Sequence, residues 1–277
     1  MGLNKPYEIL IYNWTVPKEK VTSLKTVEVA MIGVCAASYA VIGRLTDLGI
    51  VAPVVGVVAF WPAAVIPAIF AVLFGPWTGG IGAGIGIFIR DMLFHGNALL
   101  SLSAGVTANF ACFFLIGYLY RRKMDWQKIV LGLGMGFLIV GLGTFISTVF
   151  LPLESSEFTG LSQTDSVILF LVVSAGSLIL IGLIVRFWPE WKNYGIASVI
   201  GLGVGSAIIG FVLWLFSQFL PLPGGFSNAP TYFILLWLVW TFATEIPFLM
   251  AVGPPILKAC YKAFPALNPT KREADNR

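Results

Sequence analysis

Runs of about 20 apolar residues recur along this chain between residues 27 and 257, separated by short stretches that hold nearly all of its charge. At 1.5 Å per residue, about 20 helical residues cross the hydrocarbon layer of a bilayer. Apolar and polar residues do not alternate as in strands, so the backbone must satisfy its hydrogen bonds inside helices and not in a closed barrel. The chain is 58% hydrophobic and only 11% charged, whereas a soluble domain carries roughly 25% charge. The expected fold is an all-α polytopic membrane helix bundle, which excludes an ordinary soluble enzyme.

Charge and Pro/Gly punctuation divide the apolar sequence into eight expected spans: about 27 to 45, 53 to 74, 78 to 95, 98 to 120, 127 to 150, 166 to 187, 195 to 218 and 231 to 257. A cytoplasmic N-terminus then places every Lys and Arg except Arg44 and Arg90 on the inside. Both termini are therefore expected in the cytoplasm: a segment 1–26, a bundle 27–262 and a tail 263–277. Residues 1–26 lack the apolar core and cleavage site of a signal peptide. Pro6 stands where a myristoylation motif wants Ser or Thr. The sequon at Asn13 would sit on the cytoplasmic side and reads as chance.

Several chemistries find no footing. Cys35, Cys112 and Cys260 lie within or at the end of apolar runs, as packing residues or free thiols. His95 is the single histidine, so no His/Cys metal cluster can form, and no phosphate-binding loop of the G-x-x-x-x-G-K-[ST] type is present. No cofactor or metal is expected, nor is catalysis, which would need a nucleophile with a base or a set of metal ligands. The net charge of +4 comes from cations at helix ends, the usual orientation signal in membranes, and not from a nucleic-acid surface.

A shift of 69 residues lays Val130–Gly136 on Val199–Gly205, Gly141 on Gly210, and Leu151-Pro152-Leu153 on Leu220-Pro221-Leu222. This is the pattern of a parallel duplication, spans five and six copied as seven and eight. Glycine-rich composition alone would produce part of the match, but not the Leu-Pro-Leu.

The stretch Phe60–Asp91 is the most informative. Pro62 and Pro67 start or bend the second span, Gly75-Pro76 makes a tight turn, and Gly80, Gly82, Gly84 and Gly86 let the third span approach its neighbours closely. In the first span Ala36 and Ala40 are spaced A-x-x-x-A, with Gly33 and Ala37 as a parallel small pair. A proline-containing helix, an L-F-G-P turn and a glycine-rich helix ending in an acidic residue resemble the second and third helices of the substrate-binding S components of energy-coupling factor (ECF) vitamin transporters. The resemblance covers residues 30–120 best. It implies a prokaryotic plasma membrane, a small vitamin-like substrate, and partners consisting of a membrane T component and two cytosolic ATPases. It also implies that Gly33, Ala36, Ala37 and Ala40 dock on the T component, and that the loop from Thr46 to Ala59 folds over the outer mouth. The family usually has six spans, and the duplicated hairpin would account for eight.

Polar groups inside the apolar runs are the candidate ligand contacts, since an ionisable group at mid-bilayer costs about 2.5 to 3.5 kcal/mol on insertion scales. Trp237, Thr241 and Glu245 fall at i, i+4 and i+8 of the eighth span. They could bind a polar ring compound, or Trp237 could pack on lipid or a neighbouring helix while Glu245 bonds backbone or Arg90. Asn109, with Ser101, Gly105 and Cys112 on its face, binds ligand or ties two helices together. Arg90, Asp91 and His95 close the third span, where the adjacent Arg90 and Asp91 are not expected to share a face; they are ligand contacts or an interfacial charge cluster. Arg44 and Asp47 read as helix-end polarity. The pocket is expected in the outer half, between the fourth and eighth spans, with Asn109, Trp237, Thr241 and Glu245 in its wall, or failing that around Arg90, Asp91 and His95.

The expected function is thus a substrate-capture subunit of an ECF-type importer. A stand-alone secondary transporter, with Glu245 as its proton-coupling carboxylate, is the alternative, and an intramembrane enzyme or a pocketless scaffold are further ones. The substrate is not readable from sequence, although the single His argues against nickel or cobalt and the aromatic content leans towards a ring compound.

Overall fold

The computed structural model describes residues 26–47, 61–122, 163–187, 189–223 and 225–267, together with separate helical residues between 127 and 145. Every regular element among the described residues is helical. In chain order these are α1 (Thr26–Asp47), a 3-10 turn (Pro62–Ala64) leading into α2 (Val65–Phe74), α3 (Pro76–Phe94), α4 (Ala98–Tyr120), α5 (Gln163–Phe187), α6 (Lys192–Phe219) and α7 (Phe233–Ala263). Four of them, α1, α4, α6 and α7, are long and apolar enough to cross a membrane. In α3, the glycines and the Arg90–Asp91 pair dilute the apolar content. The second expected span is helical from Pro62, and its residues 53–60 lie outside the described residues, as do the loop 48–59, the termini and the Leu151-Pro152-Leu153 copy of the repeat.

Local chemistry sets the turns. Gly75 ends α2 at φ 121°, a backbone conformation that side-chain-bearing residues avoid, and Pro76 supplies the pre-set first residue of α3. One residue therefore joins two antiparallel helices. Inside α7, Pro247 has no N–H to give the Ala243 carbonyl one turn earlier; the Ser177 hydroxyl of α5 donates to that carbonyl at 2.6 Å.

The helices α1, α3, α4, α6 and α7 pack in that order as neighbours, and short α2 touches α1, α3, α4 and α7. Two apolar cores result. The larger gathers Trp61 to Val72 with Phe113, Ile116, Tyr194, Leu202 and Ile246; the smaller gathers Leu100, Leu213, Phe216, Phe233 and Trp237 where α4, α6 and α7 meet.

The small residues of α1 divide between two faces. Ala36 and Ala40 are each 4% exposed, and the α3 backbone lies so close at Gly86 that a Cβ there would sit 2.8 Å from the Ala36 carbonyl oxygen. These two alanines pack inside the chain, in contrast to the expected partner-facing role. Gly33 and Ala37 are exposed beside Val34 and Val41, and nothing lies within 4 Å of a Cβ built on Gly33. The A-x-x-x-A spacing identifies a flat strip but not which helix lies against it.

Candidate functional site

The two cores do not meet completely, and a cavity of about 110 Å³ lies between them, walled by α3, α4, α6 and α7 with Trp61 at one side. It occupies the half of the bundle away from the Gly75-Pro76 turn, next to the α3–α4 connection. Its polar wall contains Arg90, Asp91, His95, Ser101, Asn109, Ser206, Thr241 and Glu245, while Ile87, Ala108, Phe113, Leu202 and Leu213 supply apolar surface.

From α3, Arg90 and Asp91 form a buried ion pair at 3.1 Å, although they are adjacent in sequence. The expectation that they do not share a face fails because the flexible arginine stem bends its guanidinium back over the carboxylate. The guanidinium also lies between two rings, 4.5 Å from the Trp61 centroid and 4.3 Å from that of Phe94. The other Asp91 oxygen accepts from the Ser101 hydroxyl at 2.7 Å. His95 stands at 3.8 Å from Asp91, and its Nδ1 accepts the Asn97 N–H at 3.1 Å, which leaves Nε2 to carry the proton facing the carboxylate. Three neighbours therefore surround Asp91, as a buried charge requires.

On α4, the residues Ser101–Val106 form a π-helical turn. Such turns alter the register of a helix and are frequent at functional sites. Here the turn puts Ser101 and Gly105 against Asp91: a Cβ on Gly105 would lie 2.7 Å from Asp91 Oδ2. One turn later the Asn109 amide donates to the Gly105 carbonyl at 2.9 Å. Its Oδ1 accepts from the Tyr39 hydroxyl at 2.6 Å, and that hydroxyl accepts from Trp61 Nε1, also at 2.6 Å. The chain Trp61–Tyr39–Asn109 thus ties the start of the α2 segment, α1 and α4 around one wall of the cavity. Asn109 both lines the cavity and ties helices together.

On α7, Thr241 and Glu245 line the cavity, but Trp237 does not: it is fully buried in the smaller core, its ring centroid 5.0 Å from that of Phe233. The reason is helical drift. Each step of four residues turns a side chain by about 40°, so i and i+8 point about 80° apart. Thr241 donates its hydroxyl to the Trp237 carbonyl at 2.8 Å. Glu245 makes no hydrogen bond or ion pair with any described residue, Arg90 included. The α6 wall adds Ser206, whose buried hydroxyl also lacks a hydrogen-bond partner among the described residues.

The structure therefore brings Arg90, Asp91, His95, Asn109, Thr241 and Glu245 together, merging the two places where a pocket is expected, and leaves Trp237 out. Trp61, Tyr39 and Ser206 were missed. Trp61 carried a usable signal, an aromatic residue directly before a helix-starting proline, and Ser206 is a polar residue set among the glycines of α6. Among the described residues, no three His, Cys, Asp or Glu side chains gather as metal ligands would. Arg44 is half-buried at the end of α1, and the side chain of Asp47 lies outside the described residues. Comparison with protein families, with curated proteins and with solved structures gives no match.

Proposed function

We propose that this chain is the substrate-capture subunit of an importer, similar to the S components of ECF transporters, embedded in a prokaryotic plasma membrane through eight spans with both termini inside. The observation that carries the reading is the cavity: a ligand-accessible space inside an apolar bundle, lined by polar groups of four helices. In this orientation the Gly75-Pro76 turn, Arg121 and Arg122 face the cytoplasm, and the cavity lies in the outer half, where a scarce extracellular molecule would be captured. Energy would come from a T component and two ATPases, since the sequence has no phosphate loop of its own. The exposed Gly33–Ala37 face of α1 is the part of the expected docking strip that is open to such a partner.

A second reading is favoured by one observation, the unpartnered Glu245 on the cavity wall, which suits a proton-coupled carrier. Proteoliposomes separate the two. The S-component reading expects ligand binding by the chain alone, but accumulation only when the T component, ATPases and ATP are added. Accumulation by the chain alone, driven by a proton gradient and lost in Glu245→Gln, would replace it with the carrier.

A further inference from the structure

Among the described residues two carboxylates face the cavity, and their surroundings differ. Asp91 is held by Arg90 at 3.1 Å and Ser101 at 2.7 Å, with His95 at 3.8 Å, so the Arg90–Asp91 pair is balanced in charge. Nothing in the described structure does the same for Glu245. Arg90, the one Lys or Arg of the cavity lining among the described residues, is committed to Asp91 and to the faces of Trp61 and Phe94. His95 already accepts at Nδ1 from the Asn97 backbone in the form that needs no second proton. Among the described residues the cavity therefore carries one uncompensated acid, set in an apolar bundle where an ionised carboxylate calls for a partner. The same cavity lining holds Ser206, fully buried, with a hydroxyl that no described group satisfies.

Size narrows the partner further. A cavity of about 110 Å³ is of the same order as the roughly 150 Å³ of a dry apolar cavity that takes benzene, so one ring is the most it admits. Much of the remaining lining, including Phe113, Leu202 and Leu213, is apolar. Taking the cavity as the ligand site of the proposed function, we infer that its ligand is a small monocation of no more than one ring, such as a protonated nitrogen heterocycle, aromatic amine or amidine. Its N–H groups donate to Glu245 and Ser206, and its ring rests on the apolar wall. An anionic ligand would meet Glu245 at close range with Arg90 already occupied.

Three probes of one shape and different charge test this on the purified full-length chain: benzamidinium, neutral benzamide and anionic benzoate, measured by calorimetry and by ligand-induced shift in thermal unfolding. The expected result is that benzamidinium binds at least tenfold tighter than either of the others, and that Glu245→Gln removes that preference. Benzoate or benzamide binding as tightly as benzamidinium, no binding by any of the three, or a cation preference unchanged in a folded Glu245→Gln, each overturns the inference. Should the variant not fold, the comparison on the unaltered chain decides alone. The proteoliposome experiment fails separately: a cation preference with partner-independent uptake keeps this inference and removes the S-component reading.

Discussion

The Ser177 hydroxyl of α5 donates at 2.6 Å to the Ala243 carbonyl of α7, the carbonyl that Pro247 leaves without its helical donor. A helix that carries Glu245 two residues from a proline thus keeps its backbone satisfied through a neighbour, which holds the carboxylate-bearing turn in place. Proline in an apolar helix is tolerated when a Ser or Thr side chain takes up the freed carbonyl.

Removing that donor should be costly only while the proline is present. Ser177→Ala leaves a buried carbonyl unpaired and should lower stability by about 1 to 3 kcal/mol. In a Pro247→Ala background, where the helix regains its own N–H, the same change should cost markedly less. Thermal or denaturant unfolding of the four proteins of this cycle reads the coupling directly; equal costs in both backgrounds would separate Ser177 from the proline.

Two glycine substitutions should have opposite signs. At Gly105 an added Cβ would stand 2.7 Å from Asp91 Oδ2, so Gly105→Ala must push the carboxylate off Ser101. It should destabilise the chain by about 1 to 3 kcal/mol, as overpacking does. At Gly33 nothing lies within 4 Å, and Gly33→Ala should gain up to about 1 kcal/mol from helix propensity. Unfolding midpoints of the two variants, measured side by side, check the contrast.

Much of this architecture is legible in the residues, and the reasons for the failures are specific. Apolar runs reveal helices because each must hide its backbone, and the Gly75-Pro76 turn follows from local chemistry. Glu245, Asn109 and Arg90 stand out because polar groups in such runs need partners. Faces are harder. Trp237 left the site because the i, i+4, i+8 line drifts around the helix. Arg90 reached Asp91 because a long side chain is not bound by the face of its own Cα. The strip on α1 was found, but Ala36 and Ala40 pack inward while Gly33 and Ala37 look out, a distinction that depends on where α3 lies. The π-turn in α4 depends on tertiary contacts to Asp91 that no local pattern encodes.

The two faces of α1 make a paired test. Gly33→Leu with Ala37→Leu should leave the isolated chain folded, with ligand binding intact, and abolish association with a T component in detergent pull-down. Ala36→Leu with Ala40→Leu should instead lower the unfolding temperature sharply or prevent folding, since both alanines are 4% exposed against the chain's own helices. Wild-type stability in the second variant would contradict the assignment of the faces.

Tyr39 joins two hydrogen bonds, accepting from Trp61 and donating to Asn109, each at 2.6 Å. Tyr39→Phe removes one oxygen and leaves both partners unsatisfied in a buried place. The ligand-free chain should lose about 1 to 3 kcal/mol of stability, read as a shift in denaturant midpoint. A change smaller than a few tenths of that range would mean that the network does not hold the cavity wall together.

A small molecule captured in the cavity between the two cores should be detectable by native mass spectrometry of the chain purified from its own membranes. A bound small molecule should be present in the unaltered protein and weakened about ten- to a hundred-fold in affinity by Glu245→Gln, the cost of a hydrogen-bonded charged contact of about 1.5 to 3 kcal/mol. It should be absent from a folded Ser206→Phe, whose ring fills the space. A ligand that survives in folded Ser206→Phe, or a purified chain that carries none and binds none, would rule out capture in this cavity.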